Sequence, residues 1–230
     1  MGDAYVVGHV YGRLIAFDLD GTLIDSSRDL ADSVNDVLVE LGAPPLPHGS
    51  ITKMVGEGAR ILVRRALAAS RLPETADALA RFLAIYDTRL LNHTKPYEGI
   101  VDVVRAAREH ARVAVLTNKP LEPSEKVLAG LGLRDLFDDV IGSDGPFPRK
   151  PDPAALRALM ERAGATPART LMVGDSIVDY ETARNASARC CLVAYGFSNH
   201  TLESVPTGDT WVVSDASGLG EAIARFVATG

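Results

Sequence analysis

Short apolar runs alternate with longer stretches whose apolar positions recur every three or four residues, the pattern of a parallel sheet with crossover helices. The runs predict strands at Leu14–Phe17, Val113–Thr117, Asp139–Ile141, Thr170–Val173, Cys190–Tyr195 and Trp211–Val213. The periodic stretches predict helices at Gly99–His110, Glu122–Leu131, Ala154–Ala163 and Tyr180–Ala186. The interval between the first two strands is far too long for one crossover. Within it, Leu30, Val34, Val37, Leu38 and Leu41 recur at helix spacing, as do Leu79, Phe82, Leu83, Tyr86 and Leu90. Ala59–Ala69 is apolar on much of its surface, and Gly42-Ala43-Pro44-Pro45-Leu46-Pro47 reads as a loop. Ser27–His93 is therefore expected to be an all-helical insert, a lid over the strand ends.

Four polar clusters fall where these strands end. The first is Asp18-Leu19-Asp20-Gly21, after an apolar run. Residues i and i+2 of an extended segment point to one side, so the two aspartates can address one small volume. Like charges that close are tolerable mainly with a cation between them or with one carrying a proton. The second cluster is Thr117-Asn118-Lys119, the third Lys150-Pro151-Asp152-Pro153, and the fourth Gly174-Asp175-Ser176 followed by Asp179. Each has a bland reading as a turn, a helix cap or a surface lysine. Together they stand where ligands bind in open parallel sheets, beyond the carboxyl ends of the strands.

Composition narrows the setting. The 230 residues are 47% hydrophobic and 23% charged, with a net charge of −6, ordinary for a soluble globular chain and poor for a nucleic-acid surface. No apolar stretch is long enough for a membrane span, and the start of the chain, with Asp3, lacks the pattern of a secretory signal. The two cysteines, Cys190 and Cys191, are adjacent and read as small core residues, so a cytoplasmic location is expected.

The four clusters, in this order and spacing from Arg13 to about Tyr195, resemble the haloacid dehalogenase superfamily. The resemblance implies an α/β fold: a Rossmann-like parallel sheet core of residues 1–26 and 94–230, with an all-helical cap domain of residues 27–93. It implies Asp18 as the nucleophile that takes a phosphoryl group, and Asp20 as the acid that protonates the leaving oxygen and later activates water. Thr117 and Lys150 would bind phosphoryl oxygens. Asp18, Asp20, Asp175 and Asp179 would form the surroundings of Mg²⁺. Independent of the resemblance, a carboxylate attacking an anionic phosphoryl group needs a cation to offset repulsion, and Mg²⁺ suits a site of few carboxylates. Gly21 and Gly174 permit tight turns and close backbone approach, and Lys150, preceding a proline, is biased to extended backbone.

Within that family, dehalogenases and phosphonate hydrolases lack the second aspartate, and sugar-phosphate mutases carry a Thr and His pair where this chain has Ile24-Asp25-Ser26-Ser27-Arg28-Asp29. Phosphomonoester hydrolysis is the expected activity. Lys53-Met54-Val55-Gly56-Glu57-Gly58-Ala59-Arg60 is similar to the specificity loop of phosphoglycolate phosphatases. Lys53, Gly56, Glu57, Gly58 and Arg60, with Gly21 and Asn118, are the candidate substrate-binding residues, and Arg64 is a further candidate cation. The alternative for Glu57, Arg60 and Arg64 is an exposed ion-pair ladder. Other small phosphates (pyrophosphate, a nucleotide, a sugar phosphate) remain alternative substrates, and a silent phospho-ligand-binding protein is the non-enzymatic alternative. The expected partner is a small phosphorylated metabolite, without nucleic acid or membrane, for a monomer or homodimer. His9, His48, His93, His110 and His200 show no ligand spacing. Ser187 stands where relatives place a glycine, at a helix end that favours a left-handed residue.

Overall fold

Alternation along the strands decides which side of the sheet each helix covers. A computed structural model describes residues 12–206 and 210–229, so His9 and the first eleven residues lie outside the described part. Six strands form one sheet: β1 (Leu14–Phe17), β4 (Arg112–Leu116), β5 (Asp139–Ile141), β6 (Thr170–Gly174), β7 (Arg189–Val193) and β8 (Thr210–Val213). All pair in parallel, in the order β5-β4-β1-β6-β7-β8. In β1, Ile15 and Phe17 enter one apolar layer and Leu14 and Ala16 the other. The adjacent cysteines follow the same rule, Cys191 facing the first layer and Cys190 the second, both free and buried.

The first layer is closed by α5 (Ile100–Arg108), α6 (Leu121–Gly130) and α9 (Ala216–Ala228), the second by α7 (Ala154–Ala163) and α8 (Ile177–Asn185). Every predicted strand and helix is found, with ends shifted by a few residues. The sequence reading missed α9, and two short strands, β2 (Ile24–Asp25) and β3 (Lys95–Pro96), which pair antiparallel. Two residues are too few to show a period.

Between β2 and β3 lie α1 (Ser27–Glu40), α2 (His48–Thr52), α3 (Ala59–Ala69) and α4 (Ala76–Asp87). Leu30, Val34, Val37 and Leu38 of α1 are buried, as are Phe82 and Tyr86 of α4. Leu83, on the same predicted face, is instead 38% exposed, because α4 turns that edge toward an open pocket. Asp29 ties the two ends of this segment: its Oδ2 accepts from His93 N (2.9 Å), Thr94 N (2.8 Å) and Thr94 Oγ1 (2.7 Å).

After α8, Ser187 adopts φ 59°, the left-handed conformation the sequence favours at that place. Ser187 N donates to Arg184 O at 3.0 Å and Ala188 N to Ala183 O at 2.9 Å, the paired closure of a helix end. A side chain there is strained, and the residue is exposed. Ser187→Gly is therefore expected to stabilise the protein by about 0.5–1 kcal/mol, raising Tm by roughly 1–4 °C in calorimetry.

Candidate active site

β1 is flanked by β4 on one side and β6 on the other, so the order in which strands are added reverses there and leaves a crevice at the strand ends. Asp18 follows β1 and its N–H donates to Val173 O of β6 at 2.8 Å; Thr117 follows β4 and donates to Ile141 O of β5 at 3.0 Å. Asp175 follows β6, and Lys150 sits in the loop after β5. All four are buried. The Lys150–Pro151 peptide is cis.

Lys150 Nζ lies 2.8 Å from Asp18 Oδ1 and 2.6 Å from Asp179 Oδ1. Burial alone would lower the proton affinity of the lysine, but Asp179 and Asp18 hold it above the ordinary lysine value. Asp179 is doubly used. Its Oδ2 accepts from Ser176 N and Oγ, closing the first turn of α8. The capping box thus also fixes the carboxylate that orients Lys150.

Asp18, Asp175 and Asp179 each offer a carboxylate oxygen, and these lie within 4.8 Å of one another. Burial pushes Asp18 up to about 6 against the pull of Lys150, and burial with Asp179 and Asp18 nearby pushes Asp175 up to about 8. The charged trio is under-compensated by one lysine, and a small divalent cation with hard oxygen preference fits it. Phe197 N (2.7 Å) and Ser198 N (3.0 Å) donate to Asp175 Oδ2. Room for this carboxylate comes from glycines. A Cβ on Gly21 would lie 2.5 Å from Asp175 Oδ2, and one on Gly196 2.3 Å from Asp175 Cβ. Gly21, predicted at the substrate, is thus packed against a carboxylate. Gly196-Phe197-Ser198 went unread in the sequence, since no charged residue marks it.

The turn after β1 comes only at residues 21–23, so Asp20 still lines one pocket with Asp18, though with partners of its own. Its carboxylate accepts from Ser26 Oγ at 2.5 Å and lies 3.2 Å from Lys119 Nζ, outside the acidic trio although it lines the same pocket. Lys119 was given no role by the sequence. It is 7% exposed, and its Nζ also lies 2.6 Å from Tyr86 Oη. Burial pulls its proton affinity down, yet Asp20 and Tyr86 hold it above the usual lysine value; burial pushes the Tyr86 phenol up to about 12. Its place in the polar cluster that follows β4 was the available signal.

Above these residues the pocket is mostly apolar, with Leu30, Val55, Leu62, Phe82, Leu83 and Pro120 in its wall. Gly56 and Gly58 line it, with φ of 121° and 90°. Asn118 Nδ2 donates to Gly56 O (3.2 Å) and Lys150 O (3.1 Å), which makes it a tie between loops. Lys53, Glu57, Arg60 and Arg64 are exposed and do not line the pocket. Gly58 caps the start of α3, so Glu57 lies outside that helix and pairs with Arg65 instead of Arg60 or Arg64. His48, His93, His110 and His200 take no part in the acidic trio.

A buried carboxylate held by a lysine, beside an acidic trio at the switch point of a parallel sheet, is equipped to attack an anionic group and then release it to water. Fold and site together define a hydrolase. The profile described as haloacid dehalogenase-like hydrolase matches residues 13–187, and the chain belongs to that family. Among curated proteins, it is 41% identical over 218 residues to a phosphoglycolate phosphatase of Rhodospirillum rubrum, covering 91% of this chain and 90% of that protein. It is 37% identical to a phosphoglycolate phosphatase of Caulobacter vibrioides over 84% of each chain. A crystal structure of a predicted phosphoglycolate phosphatase from Haemophilus somnus superposes with a TM-score of 0.84 at 29% identity, covering 94% of this chain and 99% of that one. Among the described residues, no helix is long and apolar enough to cross a membrane.

Proposed function

We propose that this hydrolase cleaves phosphomonoesters with Mg²⁺, through a phosphoryl group carried on Asp18, and that its substrate is 2-phosphoglycolate. The observation that carries the reading is the meeting of Asp18, Asp175 and Asp179 with Lys150, with Asp18 at the foot of a mostly apolar pocket. An Asp18 oxygen attacks phosphorus, the bond to the ester oxygen breaks, and Asp20 gives that oxygen a proton. Asp20 then takes a proton from the water that attacks the acyl phosphate, which regenerates Asp18 and frees inorganic phosphate. Thr117 and Lys150 hold phosphoryl oxygens, and Asp179 keeps Lys150 aimed. When bound by Asp18 and Asp175, with Asp179 behind them, Mg²⁺ supplies the charge neutralisation that a carboxylate needs to meet a dianion.

The division into a core (residues 1–26 and 94–230) and a helical cap (residues 27–93) belongs to the same reading. The cap contributes Leu30, Val55, Leu62 and Phe82 to the wall, and so excludes water from the acyl phosphate's surroundings. The substrate assignment rests on the named activities of the relatives. A reducing compartment, the cytoplasm, suits two free buried cysteines.

Phosphate release from a panel of phosphorylated metabolites, with Mg²⁺ and with chelator, tests the reading. Release is expected only with the metal, and 2-phosphoglycolate is expected to lead unrelated monoesters by more than about tenfold in kcat/KM, about 1.4 kcal/mol. A smaller lead overturns the substrate assignment. An absence of metal-dependent release across the panel would favour a silent phospho-ligand-binding protein.

A further inference from the structure

Tyr86 belongs to α4 of the helical segment, yet its hydroxyl reaches the centre of the site. It lies 2.6 Å from Lys119 Nζ, which in turn lies 3.3 and 3.2 Å from the two carboxylate oxygens of Asp20. From the other side Ser26 Oγ donates to Asp20 Oδ1 at 2.5 Å. Four side chains thus form one continuous polar chain, of which Asp20, Tyr86 and Lys119 stand in the wall of the mostly apolar pocket. A lysine ammonium is a point charge on a flexible stem, so its place is set by its partners. Here one partner is the carboxylate and another the phenol. The phenol ring is itself held, stacked on Phe82 with centroids 5.6 Å apart and planes 14° from parallel. None of these contacts reaches Asp18, Lys150 or the acidic trio, so phosphoryl binding does not require them.

We propose that Tyr86 and Lys119 are positioning residues for Asp20: Tyr86 fixes Lys119, and Lys119 holds the Asp20 carboxyl group where its proton meets the departing ester oxygen. The inference rests on the reading of Asp20 as the acid. Lys119 and Asp20 stand on the strand ends, whereas Tyr86 is carried by α4. The chain of contacts is therefore complete only with the helical segment seated over the sheet. Seating the segment readies the proton donor as well as shutting out water.

Leaving groups separate this from a structural role. An alkyl oxygen must be protonated as its bond to phosphorus breaks, whereas p-nitrophenolate departs without a proton. Tyr86→Phe keeps the ring and its stacking and removes only the hydroxyl. The variant is expected to lose about tenfold in kcat/KM on an alkyl phosphate, and less than about twofold on p-nitrophenyl phosphate. In an Asp20→Asn background the same substitution is expected to cost nothing more on the alkyl substrate, because it acts through Asp20. Equal losses on both substrates, or a loss that persists in the Asp20→Asn background, overturn the inference and leave the phosphatase reading standing. No phosphate release from either substrate by the unaltered protein overturns both.

Discussion

Asp18→Asn is expected to lower phosphate release by about 10⁴-fold or more while the protein stays folded. An amide cannot attack phosphorus as a carboxylate does, yet it has nearly the same shape and fills the same place beside Lys150. The thermodynamic side is equally specific. The folded-state value of Asp18 is raised from 3.8 to about 6, chiefly by burial. A raised value means that its contribution to stability is full below pH 3.8 and is lost as the pH climbs through 6. The asparagine has no such loss. In cation-free buffer the variant should therefore gain stability relative to the parent between pH 4 and pH 8, on the order of 2–3 kcal/mol. Melting curves at those two pH values check it. Retained full activity would remove the nucleophile role, and a relative stability that falls with pH would remove the account of crowded charge.

Lys150→Met should abolish activity and also weaken the fold. Its Nζ is the only cation bonded to both Asp18 and Asp179 among the described residues, and its side chain is 2% exposed. Methionine replaces the stem in volume but leaves two buried carboxylates facing each other. Breaking a buried pair from one side costs about 3–5 kcal/mol, or roughly 6–20 °C in Tm for a chain of this size. The penalty should shrink at pH 5, where Asp18 is free to take a proton. Added divalent cation should recover part of the stability without recovering turnover. A melting temperature within about 2 °C of the parent at pH 8 would show that the lysine does not carry the cluster.

The sheet and the site's centre were legible in the sequence because burial leaves a periodic trace. Strands buried on both faces read as apolar runs, and the polar residue that follows each run marks its exit into the crevice. Asp18, Thr117 and Asp175 directly follow such runs, whereas Lys150 and Asp179 came from the polar clusters in the loop after β5 and at the start of α8. What escaped were contacts between distant elements, which leave no pattern in the sequence. Lys119 and Tyr86 lie far apart in sequence and on different elements, so no spacing links them. Gly196 matters because Asp175 and the Gly21 carbonyl fill the space a Cβ would need. For the exposed residues around Gly56 and Gly58 the sequence offered several cations, and only folding shows that their side chains point to solvent.

Ile24 pairs with Pro96 and Asp25 with Lys95, so the chain leaves for the helices and comes back at neighbouring positions. Everything between forms a detour that begins and ends at one point, clamped by Asp29. Such an arrangement lets the detour be shortened, lengthened or exchanged without altering the order or register of the sheet. In the proposed reading, reaction chemistry and choice of substrate would then be written in separate stretches of the gene. Contacts such as those of Tyr86 with Lys119 and of Gly56 with Asn118 would oblige the two to change together.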